Sequence, residues 1–151
     1  IEDLKELELT YSPMFSTAKD VVNMAALVAT NILENRFKQV HVDEVRGLVE
    51  SDAYILDVRE VGEFANGHIK NAVNVPLSEL RERMNEIPKD RTIYVHCRSA
   101  QRSYNAVMAL LHNGYENVYN VSGSFLGICL YEYFNDVTKK REPIVTQYNF
   151  K

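Results

Sequence analysis

One short stretch of the chain concentrates side chains that could do chemistry, because a cysteine is followed within six positions by two arginines, two serines and a glutamine. The stretch consists of Cys97, Arg98, Ser99, Ala100, Gln101, Arg102 and Ser103. If it curls into a loop ahead of a helix, its backbone N–H groups point inward and the helix dipole adds positive potential. The arginines add formal charge, so we expect a lowered pKa and a thiolate at Cys97. The same donors would stabilise a persulfide anion on this cysteine.

The elements on either side of this stretch place it at a functional position. Residues 92–96 are typical of a strand buried on both faces, and residues 103–112 of a helix that ends at Asn113 and Gly114. Ligands of open α/β sheets collect at the carboxyl ends of the strands. We therefore expect Cys97 at the mouth of a crevice rather than in the core.

From about residue 39, predicted strands and helices alternate along the chain. The predicted strands are 40–42, 54–58, 72–75, 92–96 and 117–121, and the predicted helices are one from Asp43, 61–65, 78–87 with Ser78 as its cap, 103–112 and 123–134. Alternation of this kind predicts an α/β fold with a mostly parallel sheet and helices on both faces.

The chain is predicted to have three parts. Residues 1–36 form an N-terminal helical segment, in which Ser16 or Thr17 caps a helix that runs to about Arg36. Residues 37–135 form the α/β domain, and residues 136–151 form an extended, partly ordered tail.

Composition limits the classes of function. The chain has 151 residues, 46% of them hydrophobic, and a formal net charge of -4, so a nucleic-acid partner is not expected. Its sequence has no apolar run of the roughly 20 residues that a membrane span needs, and its start does not resemble a signal peptide. We expect a cytoplasmic protein, and the lack of an initiator Met suggests a piece of a longer one.

The second cysteine and the histidines carry weaker signals. Cys129 lies in an apolar helical stretch and is predicted to be a core residue with an unpaired thiol, although a resolving thiol remains the alternative. No metal site is expected, because the histidines and cysteines lack ligand spacing. For His68 we expect a structural role, since a thiolate held by the loop needs no general base.

Asp57 and Arg59 flank the end of the predicted strand 54–58. They could brace the cysteine loop by hydrogen bonds, or they could form a structural ion pair at the end of the strand. The sequence leaves both interpretations open.

Three motifs resemble those of rhodanese-like domains, in the same order: residues 55–77, residues 95–103 around Cys97, and residues 114–123. The resemblance implies a rhodanese-like three-layer sandwich, transfer of sulfane sulfur through a persulfide on Cys97, and anion binding by residues 98–103. Thiosulfate, polysulfide and coenzyme A persulfide are the implied donors or acceptors. Ala100 and Ser124 stand where glycine is commoner in that family, and alanine resists positive φ.

Two rival functions remain for the same loop. Phosphatases that share this fold have five residues between cysteine and arginine, whereas four separate Cys97 from Arg102. The shorter ring suits a single sulfur atom better than a phosphate, and no general acid is evident. A catalytically idle module used for docking or regulation is the second rival.

The N-terminal segment resembles another family. Residues 7–25 are similar to the C-terminal end of the dimerisation domain in coenzyme A-disulfide reductases and NADH-dependent persulfide reductases. This resemblance implies a larger, homodimeric oxidoreductase that binds FAD and NADH, and possibly coenzyme A, outside this chain, which has no glycine-rich phosphate loop. Tyr11 matches a tyrosine that approaches the thiol site of the partner subunit, although a packing role at the helix start is the preferred interpretation in this chain.

Overall fold

A computed structural model describes residues 1–8 and 20–150. The chain separates into two compact units, Ile1–Lys38 and Gln39–Lys151. In the described part of the chain, no helix combines the length and the apolar character needed to cross a membrane.

The described residues of the first unit include the helices α1 (Glu2–Lys5) and α2 (Val21–Leu33). The side chain of Asp20 caps α2 by accepting a hydrogen bond from the backbone N–H of Val22 at 2.9 Å. The helix therefore begins later and ends earlier than predicted, and Asp20 takes the capping role. The expected caps, Ser16 and Thr17, lie outside the described residues, as does Tyr11.

The second unit is built on a five-stranded sheet with strand order β1-β5-β4-β2-β3, and β2 pairs in parallel with β3 and β4, as β4 does with β5. The strands are β1 (Lys38–Val40), β2 (Tyr54–Asp57), β3 (Ala72–Asn74), β4 (Ile93–His96) and β5 (Val118–Val121). The helices that flank the sheet are α3 (Val45–Glu50), α4 (Val61–Ala65), α5 (Gln101–His112) and α6 (Ser124–Lys139). The predicted α/β fold is confirmed.

Strands β2 and β4 place the cysteine loop. Their central side chains, such as Leu56 and Val95, are fully buried, as expected of parallel strands covered on both faces. Asp57 pairs in register with His96, so β2 and β4 end side by side. The residues that follow these two strands, Arg59 and Cys97 among them, therefore lie at the same edge of the sheet.

The predicted helix over residues 78–87 is wrong. The segment forms turns and one short 3-10 helix, Met84–Glu86. Ser78 does not cap a helix, because its hydroxyl donates to the Glu60 carboxylate at 3.1 Å. The Tyr115 hydroxyl donates to the carbonyls of Met84 at 2.6 Å and Ile87 at 3.2 Å, which holds the segment in its irregular form.

The predicted end of the last helix near residue 134 is also wrong, since α6 continues to Lys139. Its last turns are fixed by buried carboxylates of Glu132 and Asp136, which bind the guanidinium groups of Arg46 and Arg141. The Tyr148 hydroxyl also donates to Asp136. This ionic cluster extends the helix beyond its apolar stretch.

Residues 142–150, which were expected to belong to an extended, partly ordered tail, pack within the second unit. Ile144 and Val145 are buried, and Val145 forms an antiparallel bridge with Ile69. Gly67 has a φ of 128° next to this segment, and a Cβ there would collide with the Gln147 carbonyl. The C-terminal segment is therefore an integral part of the sheet domain.

Candidate active site

The loop after β4 curls around the cysteine. Ala100 has a φ of 74° and a ψ of -7°, which is the left-handed conformation that alanine was expected to resist. This conformation costs about 1–2 kcal/mol for a residue with a Cβ. The Ser103 hydroxyl donates to the Ala100 carbonyl at 3.1 Å and helps to hold the turn. Helix α5 begins directly after it, at Gln101.

The curl directs donors at the sulfur of Cys97. Burial by itself raises the pKa of this thiol, but hydrogen bonds outweigh it. The donors are the backbone N–H groups of Ser99, Ala100 and Ser103 and the Ser103 hydroxyl, for whose single hydrogen the sulfur competes with the Ala100 carbonyl. The pKa of Cys97 is therefore lowered, as the sequence predicted, and we call these four donors the sulfur cradle.

The backbone of Cys97 is tied to the start of α6. Its carbonyl accepts a hydrogen bond from the N–H of Phe125 at 3.0 Å, and its N–H donates to the Ser124 hydroxyl at 3.2 Å. The residue as a whole is 1% exposed. Cys97 is thus buried beneath the loop, with polar donors at its sulfur, rather than exposed at the mouth of a crevice as expected.

The two loop arginines are both engaged with protein groups. Arg102 forms a bidentate pair with Glu63 on α4, at 2.6 and 2.8 Å. The hydrogen bonds that Arg102 donates to Glu63 raise its pKa, and a negative Cys97 raises it further, so the guanidinium stays charged. Arg98 donates to the carbonyl of Asn149 at 3.0 Å. Ser99 and Gln101 have exposed side chains, so Ser99 serves the cradle through its backbone.

A shallow depression of about 230 Å³ lies beside the loop. Its lining residues are Arg59, Gly62, Glu63, Asn66, Arg98 and Asn149. Another depression, of about 600 Å³, is lined by Arg81, Met84 and the C-terminal end of α5, far along that helix from the loop. We assign the smaller one to the site because it contains Arg98 and the Glu63 carboxylate that holds Arg102.

Asp57 and Arg59 form the structural ion pair that was one of the two expectations. Both are fully buried, and their shortest contact is 2.6 Å. Arg59 also donates to the Gly67 carbonyl and lies 4.0 Å from the ring centre of Phe125. The pair therefore braces the ends of β2 and α6, on which the cysteine loop rests.

The neighbouring histidines are neutral or structural. Burial lowers the pKa of His96, whose ring lies fully buried at the end of β4. His68 stacks on Phe64 with 3.9 Å between ring centres and shares a 2.9 Å hydrogen bond with the Phe64 carbonyl. This geometry agrees with a structural role for His68. Among residues 1–8 and 20–150, no group of three or more histidine, cysteine or carboxylate side chains is arranged to hold a metal ion.

Cys129 contrasts with Cys97. It is fully buried in the apolar core, as predicted, and its thiol is free. Burial raises its pKa, and the N–H of Asn149 is the largest influence in the opposite direction. Cys129 is thus a core thiol.

Sequence reasoning missed three residues of this site. Ser124 could have been found, because a polar side chain at a position where glycine is commoner needs a partner. Glu63 and Asn149 gave weaker signals. Glu63 is the third residue of α4 and accepts a hydrogen bond from the Glu60 N–H in a capping box. Because this role alone accounts for a glutamate at that position, the sequence gives no sign of its pairing with Arg102. Asn149 lies in a segment predicted to be an extended, partly ordered tail.

Residues 41–130 match the family model for the rhodanese-like domain, which is more than half of the chain. The chain therefore belongs to the rhodanese-like domain family. A sulfurtransferase of Allochromatium vinosum is 40% identical over 75 residues, which are 50% of this chain and 70% of that protein.

Two solved structures match most of this chain. The reduced CoADR-RHD protein of Bacillus anthracis is 44% identical with a TM-score of 0.77. The NAD-dependent persulfide reductase of A. fulgidus is 36% identical with a TM-score of 0.71. In each case the match covers 82% of this chain but 22% of the solved chain. The chain thus spans about a fifth of the length of these two proteins.

Proposed function

We propose that this domain transfers sulfane sulfur through a persulfide on Cys97. The thiolate attacks the outer sulfur of thiosulfate, a new S–S bond forms, and the bond to the sulfite sulfur breaks with its electron pair leaving on sulfite. The product is Cys97–S–S⁻. A nucleophilic acceptor such as cyanide or a thiolate then takes the outer sulfur and regenerates the Cys97 thiolate, so charge and electrons balance in both steps.

The sulfur cradle is the observation that carries this proposal. Three backbone N–H groups and one hydroxyl aimed at a single sulfur stabilise negative charge before the reaction and after it. A negative charge on Cys97 also raises the pKa of the Arg102 guanidinium, which shows that the two groups interact electrostatically. An inert buried cysteine needs neither feature, and Cys129 shows what such a residue looks like in this fold.

The donors that fit are small sulfur anions. Thiosulfate, polysulfide and coenzyme A persulfide all present an electrophilic sulfane sulfur with negative charge nearby. Arg98 lines the depression beside the loop and favours such ligands electrostatically.

We further propose that the domain works as the C-terminal part of a larger oxidoreductase. Support comes from the resemblance of residues 7–25 to the dimerisation domain of such reductases. It also comes from the two solved proteins, in which the match covers 22% of the solved chain. FAD and NADH, and possibly coenzyme A, would bind elsewhere in that protein, which we expect to be a homodimer. The role of Tyr11 toward a partner subunit belongs to the same proposal.

The test is a thiosulfate-to-cyanide transfer assay on the parent chain with a matched pair of variants, Cys97→Ala and Cys129→Ala. We expect thiocyanate from the parent and from Cys129→Ala, and loss of turnover in Cys97→Ala. Mass spectrometry after thiosulfate should show one added sulfur, removable by reductant, on the peptide that contains Cys97.

Two results would overturn the proposal. A folded parent chain that gains no sulfur from thiosulfate, polysulfide or coenzyme A persulfide would favour the docking module. Release of phosphate from aryl phosphates that depends on Cys97 would favour the phosphatase.

A further inference from the structure

Ser124 brings a hydroxyl to the back of the cysteine site. It is the first residue of α6, and its side chain is fully buried. The hydroxyl oxygen accepts the backbone N–H of Cys97 at 3.2 Å and lies 4.0 Å from the Cys97 sulfur, on which it can act as a donor. One side chain from a distant element thus contacts both the backbone and the sulfur of the nucleophile.

The backbone at Ser124 is strained. Its φ is 48°, directly after Gly123 at 77°, so two successive residues are left-handed. Glycine would adopt this conformation more easily than serine. A residue with a side chain in such a conformation persists where its surroundings require it, and here those surroundings are the atoms of Cys97.

The Ser124 hydroxyl has a single hydrogen and several acceptors within reach. They are the carbonyl of Val121 at 3.2 Å, the hydroxyl of Ser103 at 3.4 Å and the sulfur of Cys97 at 4.0 Å. With a neutral thiol, the carbonyl is the better acceptor. With a thiolate or a persulfide anion, the charged sulfur competes for the hydrogen, because hydrogen bonds to ions are stronger.

We propose that Ser124 is a positioning residue for sulfur transfer, which fixes the Cys97 peptide by accepting its N–H and adds a hydroxyl donor to the sulfur cradle when Cys97 is anionic. This inference rests on the proposed function and deepens it. It predicts that loss of the hydroxyl changes the acidity of Cys97 and not only the stability of the fold.

The test is the pH dependence of Cys97 alkylation by iodoacetamide in the whole chain, followed by mass spectrometry of the peptide that contains it. The variants are Ser124→Ala, which keeps the strained backbone, and Ser124→Gly, which relieves it. Ser122→Ala is the matched control, because Ser122 lies on the same turn and its N–H bonds to Val40 outside the site.

The other ionisable groups on the elements next to Cys97 do not change between the variants. They are Asp57 on β2, Arg59 just after it, His96 on β4, Glu63 on α4, Arg98 in the cysteine loop, Arg102 on α5 and Cys129 on α6. A shift that follows the hydroxyl alone is therefore attributable to Ser124.

We expect both Ser124 variants to raise the alkylation midpoint by about half a pH unit, which leaves roughly a third of the thiolate at a pH below both midpoints. The rate of sulfur transfer should fall about threefold at that pH and approach the parent rate at high pH. Ser122→Ala should match the parent. Because Ser124→Gly has the easier backbone, it keeps the test valid if Ser124→Ala does not fold.

Equal midpoints in the parent and in a folded Ser124→Gly or Ser124→Ala would overturn the inference, as would a loss of rate that is the same at all pH values. The two proposals fail separately. Absence of sulfur transfer by the parent chain overturns the proposed function, whereas an unshifted midpoint with active parent chain overturns only the role of Ser124.

Discussion

The two cysteines of this chain are both buried, yet their surroundings shift their thiol pKa values in opposite directions. Cys97 is 1% exposed and Cys129 is 0% exposed. Burial raises the pKa of both thiols, but at Cys97 the cradle reverses the shift, while at Cys129 a single backbone N–H does not. The comparison teaches that the number of donors aimed at a buried sulfur, rather than its exposure, decides whether it can serve as a nucleophile.

Replacement of each cysteine by alanine is the strongest way to break this comparison. Cys97→Ala should lose thiosulfate-to-cyanide transfer by more than about 100-fold, because the nucleophile is removed. Cys129→Ala should stay within about twofold of the parent per folded molecule. Steady-state thiocyanate formation measures both, and comparable losses in the two variants would contradict the assignment of Cys129 to the core.

The pH dependence of stability should separate the same two thiols. The lowered pKa of Cys97 contributes stability that is present above the unfolded thiol pKa of about 8.5 and is lost as pH falls through the folded value. The raised pKa of Cys129 contributes stability that is present below about 8.5 and is lost as pH rises through the folded value. Each pKa unit of difference between the folded and unfolded states is worth about 1.4 kcal/mol.

Urea unfolding between neutral and alkaline pH measures these contributions. The stability of the parent relative to Cys97→Ala should increase with pH, and its stability relative to Cys129→Ala should decrease. Differences that run in the same direction for both variants would show that the two environments do not differ as described.

Glu63→Gln tests how much the arginines add to the cradle. The Glu63 carboxylate neutralises the charge of Arg102. Because glutamine is uncharged, the substitution leaves more positive charge at the loop to attract a dianionic donor. We expect the KM for thiosulfate to fall about threefold at low ionic strength, with the difference lost in high salt. Glu82→Gln, on an exposed residue, is the matched control for net charge. An unchanged KM would assign donor recognition to the backbone alone.

Ala100→Gly is the mildest change. Relief of the left-handed conformation stabilises the fold, while glycine gives the unfolded chain more freedom, so the net gain should be at most about 1 kcal/mol. The alkylation midpoint of Cys97 should not move, because the backbone donors stay in place. Thermal unfolding and alkylation together check this, and a shifted midpoint would show that Ala100 tunes the loop through its strain.

The buried strands and the cysteine loop were predictable, whereas much of what surrounds them was not. The apolar runs that became β2 and β4 predicted the sheet and the position of Cys97. The wrong predictions, such as the end of the last helix, come from contacts between residues distant in sequence. Arg46, for example, lies 86 residues from its partner Glu132. In the same way, the Ser78 hydroxyl donates to Glu60 instead of capping a helix. Such pairings need the tertiary fold, which local patterns do not contain.

The same limit explains the partial prediction of the site. The amide donors follow from a loop that precedes a helix, and their effect on Cys97 was predicted. The pairing of Arg102 with Glu63 joins residues 39 positions apart, and the Arg98 bond to Asn149 spans 51. The sequence predicted two anion-binding arginines, and it could not predict the protein groups that hold them, which are the Asn149 carbonyl and the Glu63 carboxylate.

The most direct test of the account is a site-resolved alkylation profile of the native parent chain. Iodoacetamide modification of each cysteine is followed by peptide mass spectrometry as pH rises from acid to alkaline. We predict that Cys97 reacts with a midpoint below that of an ordinary thiol, while Cys129 stays unmodified until the protein unfolds. Equal midpoints for the two cysteines, or a Cys97 midpoint above the ordinary thiol value, would contradict the central claim that the loop stabilises negative sulfur.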